Sequence, residues 1–203
     1  MKSIVVLSVA IALTLLACSK DSTSTGPGPV LRDIDHLALG WQHFEAQRYD
    51  SAVTNFTSAY NLASTQAVRG EALSGRGWSS MYKRDLSRAK GDFSIAAGVT
   101  GIPTNVLNDV RVGNAFTLYS MNVFVDATTN ANAALTDNPS YTFSHDAKVT
   151  VKRVRLLLVQ SYFANGQFAQ AAAQLDIIDP ARAPHSAEPT ILLGRITAAL
   201  NSL

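Results

Sequence analysis

Small and aromatic residues recur along this chain at helical spacing. From Leu37 to Ala59, Leu39 and Gly40 are followed by Tyr49, then by Ala52, Phe56 and Ala59 at offsets of zero, four and seven. Those offsets place three side chains on one face of a helix. The same offsets return at Ala89, Phe93 and Ala96, with Gly77 standing to Ala89 as Gly40 stands to Ala52. A weaker copy runs through Ala115, Phe124, Ala127, Ala131 and Ala134 and closes at Pro139. A clear one follows in Leu158, Tyr162, Gly166, Phe168, Ala171 and Leu175. The aligned alanines lie 37, 38 and 44 residues apart. Helices are predicted over 33–47, 49–63, 66–83, 85–98, 104–121, 123–136, 147–165 and 167–178, with a ninth over 186–202. The longer intervals put their surplus into the loops Gly98–Pro103 and Ser140–Asp146, the latter reading SYTFSHD.

Local chemistry supports several of these limits. Asp85 stands where it can cap the helix that begins at Leu86, and Asn165-Gly166 supplies residues suited to a left-handed turn. Asp179-Pro180 to Pro184 stops the eighth helix, and Ser186 with Pro189 suits the first turn of the ninth. That helix carries Ile191, Leu192, Ile196, Ala199 and Leu200, a stripe able to cover an open end. Gly77 fits a close contact between paired helices. Gly70 and Gly75 do not fit the repeat and are expected to mark a frayed or late helix start, each costing about 1 kcal/mol against Ala.

The spacing of Leu39, Gly40, Tyr49, Ala52, Phe56 and Ala59 resembles the tetratricopeptide (TPR) pattern, in which two antiparallel helices pack through a small contact and an aromatic plug. The resemblance implies an all-α fold, a right-handed α-solenoid of about four TPR-like helix pairs over 31–203 with the last helix as a cap. It also implies a ligand-facing concave side lined by the first helix of each pair. Mapped onto this chain, the partner-binding groove comprises Trp41, Phe44, Trp78, Met81, Tyr82, Phe116, Tyr119 and Phe163, with Gln160 at the remaining equivalent position. An aromatic ladder of this kind suits an extended or helical peptide, because aromatics dominate binding hot spots. Glu45, Glu71, Asp109 and Arg153 on the same face are mixed in sign. On an open groove Trp78→Ala costs less than about 2 kcal/mol, against about 3 to 5 for a buried tryptophan. The competing reading is that SYTFSHD or the capping helix fills the groove and the ladder is core.

The N-terminus adds an address. Lys2 precedes an apolar run from Ile4 to Ala17 broken only by Ser8 and Thr14. It is shorter than the ~20 residues that a membrane-crossing helix needs, and its ends are those of an export signal. Leu15-Leu16-Ala17-Cys18 resembles a bacterial lipobox, which implies removal of residues 1–17 and a covalent lipid on Cys18. Ser19 after the cysteine implies outer-membrane sorting, facing the periplasm. Residues 18–30 then form the lipidated cysteine and a flexible linker, SKDSTSTGPGP, reaching about 20 Å.

Composition removes other classes. Cys18 is the one cysteine, so disulfide scaffolds and cysteine zinc sites are excluded by count. A formal charge of +2 with no basic run beyond Lys83-Arg84 and Lys152-Arg153 argues against a nucleic-acid surface. The chain is 47% apolar, enough for one substantial core. No metal-binding His-Glu-x-x-His, nucleophile elbow or phosphate loop occurs. His145 and His185 sit in loops, and His36 and His43 sit at packing positions where a satisfied, partly buried imidazole is expected. The function implied is a non-enzymatic, membrane-anchored scaffold binding another envelope protein, with no cofactor beyond the lipid. A glycan- or small-ligand-binding lipoprotein using the groove aromatics is the alternative.

Overall fold

The computed structural model describes residues 30–202. The predicted signal (1–17) lies outside them, as do Cys18 and all but the last residue of the linker. Among the described residues there are nine α-helices: α1 (Asp33–Glu45), α2 (Tyr49–Leu62), α3 (Gln66–Tyr82), α4 (Leu86–Ala97), α5 (Thr104–Ser120), α6 (Phe124–Asp137), α7 (Val151–Ala164), α8 (Phe168–Ile178) and α9 (Pro189–Leu200). Each helix packs on the next in chain order up to α8. α1 also touches α3, α3 touches α5 and α5 touches α7, so the odd-numbered helices form one continuous layer. This is an all-α solenoid of four helix pairs, as the resemblance implies. α9 closes it, packing Leu192 and Ile196 against Val159, Ala171 and Leu175. Ile191, predicted to join that stripe, is instead 53% exposed.

The repeat spacing exists because of one packing device. Phe56 of α2 is fully buried, and a Cβ added to Gly40 of α1 would lie 2.6 Å from its ring. A Cβ on Gly75 of α3 would lie 2.3 Å from the same ring. Phe93 is held likewise between Gly77 at 2.7 Å and Gly113 of α5 at 2.3 Å. Each plug therefore sits between a glycine of its own pair and a glycine of the next pair. Gly75 is thus a packing residue and not a sign of a late helix start. Gly70 is another, facing Ile102 at 2.7 Å. Further along, the residues at the equivalent offsets are Ala131 with Ala115 and Leu175 with Val159, all buried.

The turn inside each pair is also repeated. Gln47, Arg84, Asn122 and Gly166 adopt φ of 57°, 65°, 60° and 73°. In the first turn the N–H of Gln47 donates to the Phe44 carbonyl at 2.8 Å and that of Arg48 to the His43 carbonyl at 2.8 Å. Equivalent bonds recur at the other three. They satisfy carbonyls that the helix end leaves free. In Asn165-Gly166 only the glycine is left-handed. Asp85 caps α4 by accepting from the Arg88 N–H at 3.2 Å. At α9 the cap is Glu188, accepting from Thr190 and Ile191; Pro189 stands in the first turn as predicted, while Ser186 lies before the helix.

One boundary differs by four residues. α7 starts at Val151, not 147, because the preceding segment folds back on itself. Thr142 and Thr150 form an antiparallel bridge, the Phe143 N–H donates to the Val149 carbonyl at 2.9 Å, and Thr150 caps the helix.

Candidate functional site

The odd-numbered helices bring the predicted ladder together on one side. Trp41 and Phe44 come from α1, Trp78, Met81 and Tyr82 from α3, Phe116 and Tyr119 from α5. Three of these are not free. Trp78 is 0% exposed, Phe44 3% and Trp41 8%. What covers them is the segment before α7. It makes an isolated bridge at Thr142 and turns at Ser144-His145, with Tyr141 and Phe143 buried against the protein, Thr142 and Ser144 exposed, and His145 half-buried. The Phe143 ring stacks on Trp78 with centroids 4.3 Å apart and 17° between planes. His145 stacks on Trp41 at 3.7 Å and 1°. This half of the groove is filled by the chain itself, and Trp41, Phe44 and Trp78 are core. Trp78→Ala is accordingly expected to cost about 3 to 5 kcal/mol in chemical denaturation, not less than 2.

The groove's charged residues hold that segment. Tyr141 donates to Oδ1 of Asp109 at 2.8 Å, while the indole N–H of Trp78 donates to the Asp109 carbonyl at 3.1 Å. His145 Nδ1 lies 2.8 Å from Oε1 of Glu45, and the Trp41 indole donates to Oε1 of Glu71 at 3.0 Å. Tyr82 donates its hydroxyl to Asp146. Burial pushes the Asp109 carboxyl up to about 7, with the nearby Glu71 charge adding to the rise and the Tyr141 bond opposing it. Burial and Asp146 raise the Tyr82 hydroxyl far above its ordinary range, so it acts there as a donor.

The next stretch of the same face is open. A depression of about 360 Å³ is lined by Met81, Tyr82, Arg84, Leu86, Phe116, Ser120 and Arg153. It adjoins one of about 220 Å³ lined by Phe116, Tyr119, Ser120, Arg153, Leu156, Leu157, Gln160 and Leu200. Phe116 and Tyr119 are half-buried here, and Arg153 is exposed with no carboxylate partner among the described residues. Phe163 is not part of this opening. It turns to Phe168, with ring centroids 5.2 Å apart, and belongs to the cluster under α9. Leu200 lines the opening although no repeat position points to it, since only the packing of α9 against α7 brings it there.

Nothing assembles the histidines. His36 Nδ1 meets Oδ1 of Asn55 at 3.2 Å, His145 meets Glu45, and His185 Nδ1 meets Oδ1 of Asp176 at 2.8 Å. His43 departs from the satisfied imidazole that its packing position predicts, because its Nδ1 is buried without a hydrogen-bond partner. Among the described residues no three His, Cys, Asp or Glu side chains are placed to hold a metal ion, and no helix is long and apolar enough to cross a membrane.

No protein-family model matches the chain, and no curated protein does. Among solved structures it is similar to a thermophilic TPR protein of Thermus thermophilus. The identity is 16% and the TM-score 0.40, over 83% of this chain and 99% of that one. At that identity and TM-score the likeness bears on no residue of the site.

Proposed function

We propose that the protein is a non-enzymatic scaffold, tethered to the bacterial outer membrane by a lipid on Cys18. It holds a segment of another envelope protein in the open part of its groove. The observation that carries this reading is the opening around Arg153, where half-buried Tyr82, Phe116 and Tyr119 border an exposed guanidinium. Aromatic bodies beside a cation offer both apolar area and a charge-assisted hydrogen bond, the combination on which peptide hot spots depend. The glycan alternative rests on two tryptophan faces, and with both covered no observation favours it.

The test is a photo-crosslinker at Tyr119 in native membranes, with a control at the exposed Lys90 of α4. One discrete protein captured at 119, not at 90, and lost with Arg153→Glu supports the scaffold. Identical capture at both positions, or none at 119, overturns it. Mass spectrometry of the membrane-extracted protein is expected to find an N-terminal Cys18 carrying acyl chains, and an unmodified Cys18 would refute the lipid tether.

A further inference from the structure

The C-terminal end carries a second concavity that shares no lining residue with the groove. It is a pocket of about 390 Å³ between the start of α7, the end of α8 and the last turns of α9. Lys152, Arg182 and Arg195 line it, over a floor of Ile178, Ala198 and Ala199. Its one carboxylate among the described residues, Asp179, is already engaged: Nη1 of Arg182 lies 2.7 Å from its Oδ2, and Nε2 of His185 lies 3.9 Å away. The other acidic residues of this end are engaged too, Asp176 by His185 and Glu188 by the N–H groups of α9. Among the described residues Lys152 reaches neutral oxygens, the hydroxyl and carbonyl of Ser202 at 3.2 and 3.4 Å. Arg195 has no carboxylate partner among the described residues. Residues 147–202 hold six Lys and Arg against three carboxylates, although the whole chain stands at only +2.

We propose that this pocket binds an oxyanion of the phosphate class. Three cations drawn from three separate parts of the chain converge on one concavity, and a tetrahedral anion has enough oxygens to meet a guanidinium fork and an ammonium together. The apolar floor lowers the local dielectric, which strengthens that attraction relative to open solvent. The phosphate comes either free in solution or as a phospholipid headgroup. Ile191, one helical turn before Arg195 and 53% exposed, provides an apolar rim for the second source.

The test uses the mature chain from residue 18, carrying Cys18→Ser, so that neither the apolar run of residues 4–17 nor lipid modification itself drives vesicle binding. Inorganic phosphate is titrated at low ionic strength, and in parallel the protein is sedimented with phosphatidylcholine vesicles with and without phosphatidylglycerol. Saturable binding in either arm is expected, weakened about tenfold by Lys152→Gln or Arg195→Gln. Lys90→Gln, which removes the same charge from the exposed face of α4, away from the pocket and the groove, leaves it unchanged. Saturation by free phosphate identifies a soluble ligand, and binding seen only with phosphatidylglycerol identifies a headgroup. Absence of binding in both arms overturns the site. So does equal weakening by Lys90→Gln, which would reduce the effect to net charge. Thermal melting of each variant confirms that the losses at Lys152 and Arg195 are read in a folded protein.

Discussion

Among single residues, two glycines in neighbouring helices are expected to respond in opposite directions. Gly75→Ala places a methyl group 2.3 Å from the Phe56 ring, which is fully buried and has nowhere to retreat. Overpacking of this kind costs about 1 to 3 kcal/mol. Gly91, mid-helix in α4, has nothing within 4 Å of the same added atom. Gly91→Ala is therefore expected to stabilise by up to about 1 kcal/mol through helix propensity alone. Urea denaturation of the two variants measures both, and a shared sign would refute the plug account. Asp109 supplies a pH test. Its folded carboxyl titrates at about 7, above the ordinary carboxylate range, so the folded state holds a proton that the unfolded chain releases. Stability contributed by the neutral form is complete at low pH and is lost as pH rises toward 7. Asp109→Asn keeps an acceptor for Tyr141 and removes the titration. It is expected to flatten the pH dependence of stability between about pH 4 and 7 and to be the more stable protein at pH 8. An unchanged pH profile would mean that Asp109 ionises normally under the segment.

Among the elements, the helix pair depends on a left-handed turn that three of the four repeats make without glycine. The left-handed conformation costs an L-residue roughly 1 to 2 kcal/mol. Gly166 avoids that cost and Gln47 bears it. Gln47→Gly is expected to raise stability by about 1 kcal/mol and Gly166→Ala to lower it by a similar amount, read as midpoint shifts in thermal melting. The repeats are joined by a further link between helices. Arg76 of α3 is paired with the buried Asp92 of α4 at 2.7 Å, and its guanidinium lies 5.1 Å from the Tyr60 ring of α2. One side chain thereby ties the first pair to the second.

Taken as a complete molecule, a solenoid ordinarily holds together through contacts between adjacent repeats and unfolds by fraying from its ends. Here residues 141–146, which precede the fourth pair, reach α1 through His145 and Glu45, α3 through Phe143 and Trp78, and α5 through Tyr141 and Asp109. The first pair is therefore coupled to the last. Phe143→Ala is expected to destabilise by about 3 to 5 kcal/mol. It should also accelerate amide exchange in α1 and α2, which lie about 100 residues away in sequence. Acceleration confined to 138–150 would show that the segment is a passive filling and not a strap.

The helices, their pairing and the repeat are legible in the bare chain, because they follow from local periodicity and from small residues at fixed offsets. Phe56 with Gly40 and Phe93 with Gly77 can be read for that reason. Gly75 and Gly113 cannot, since the second glycine of each plug belongs to the next pair and its partner lies outside any local window. Which aromatics face solvent is settled by the folded arrangement alone. A tryptophan at a groove position and one in a core have the same helical spacing, and what separates Trp78 from Tyr119 is a loop some 65 residues beyond Trp78 that folds across one and stops short of the other. Burial is a property of what covers a surface, and the covering segment here is remote in sequence from the surface it covers.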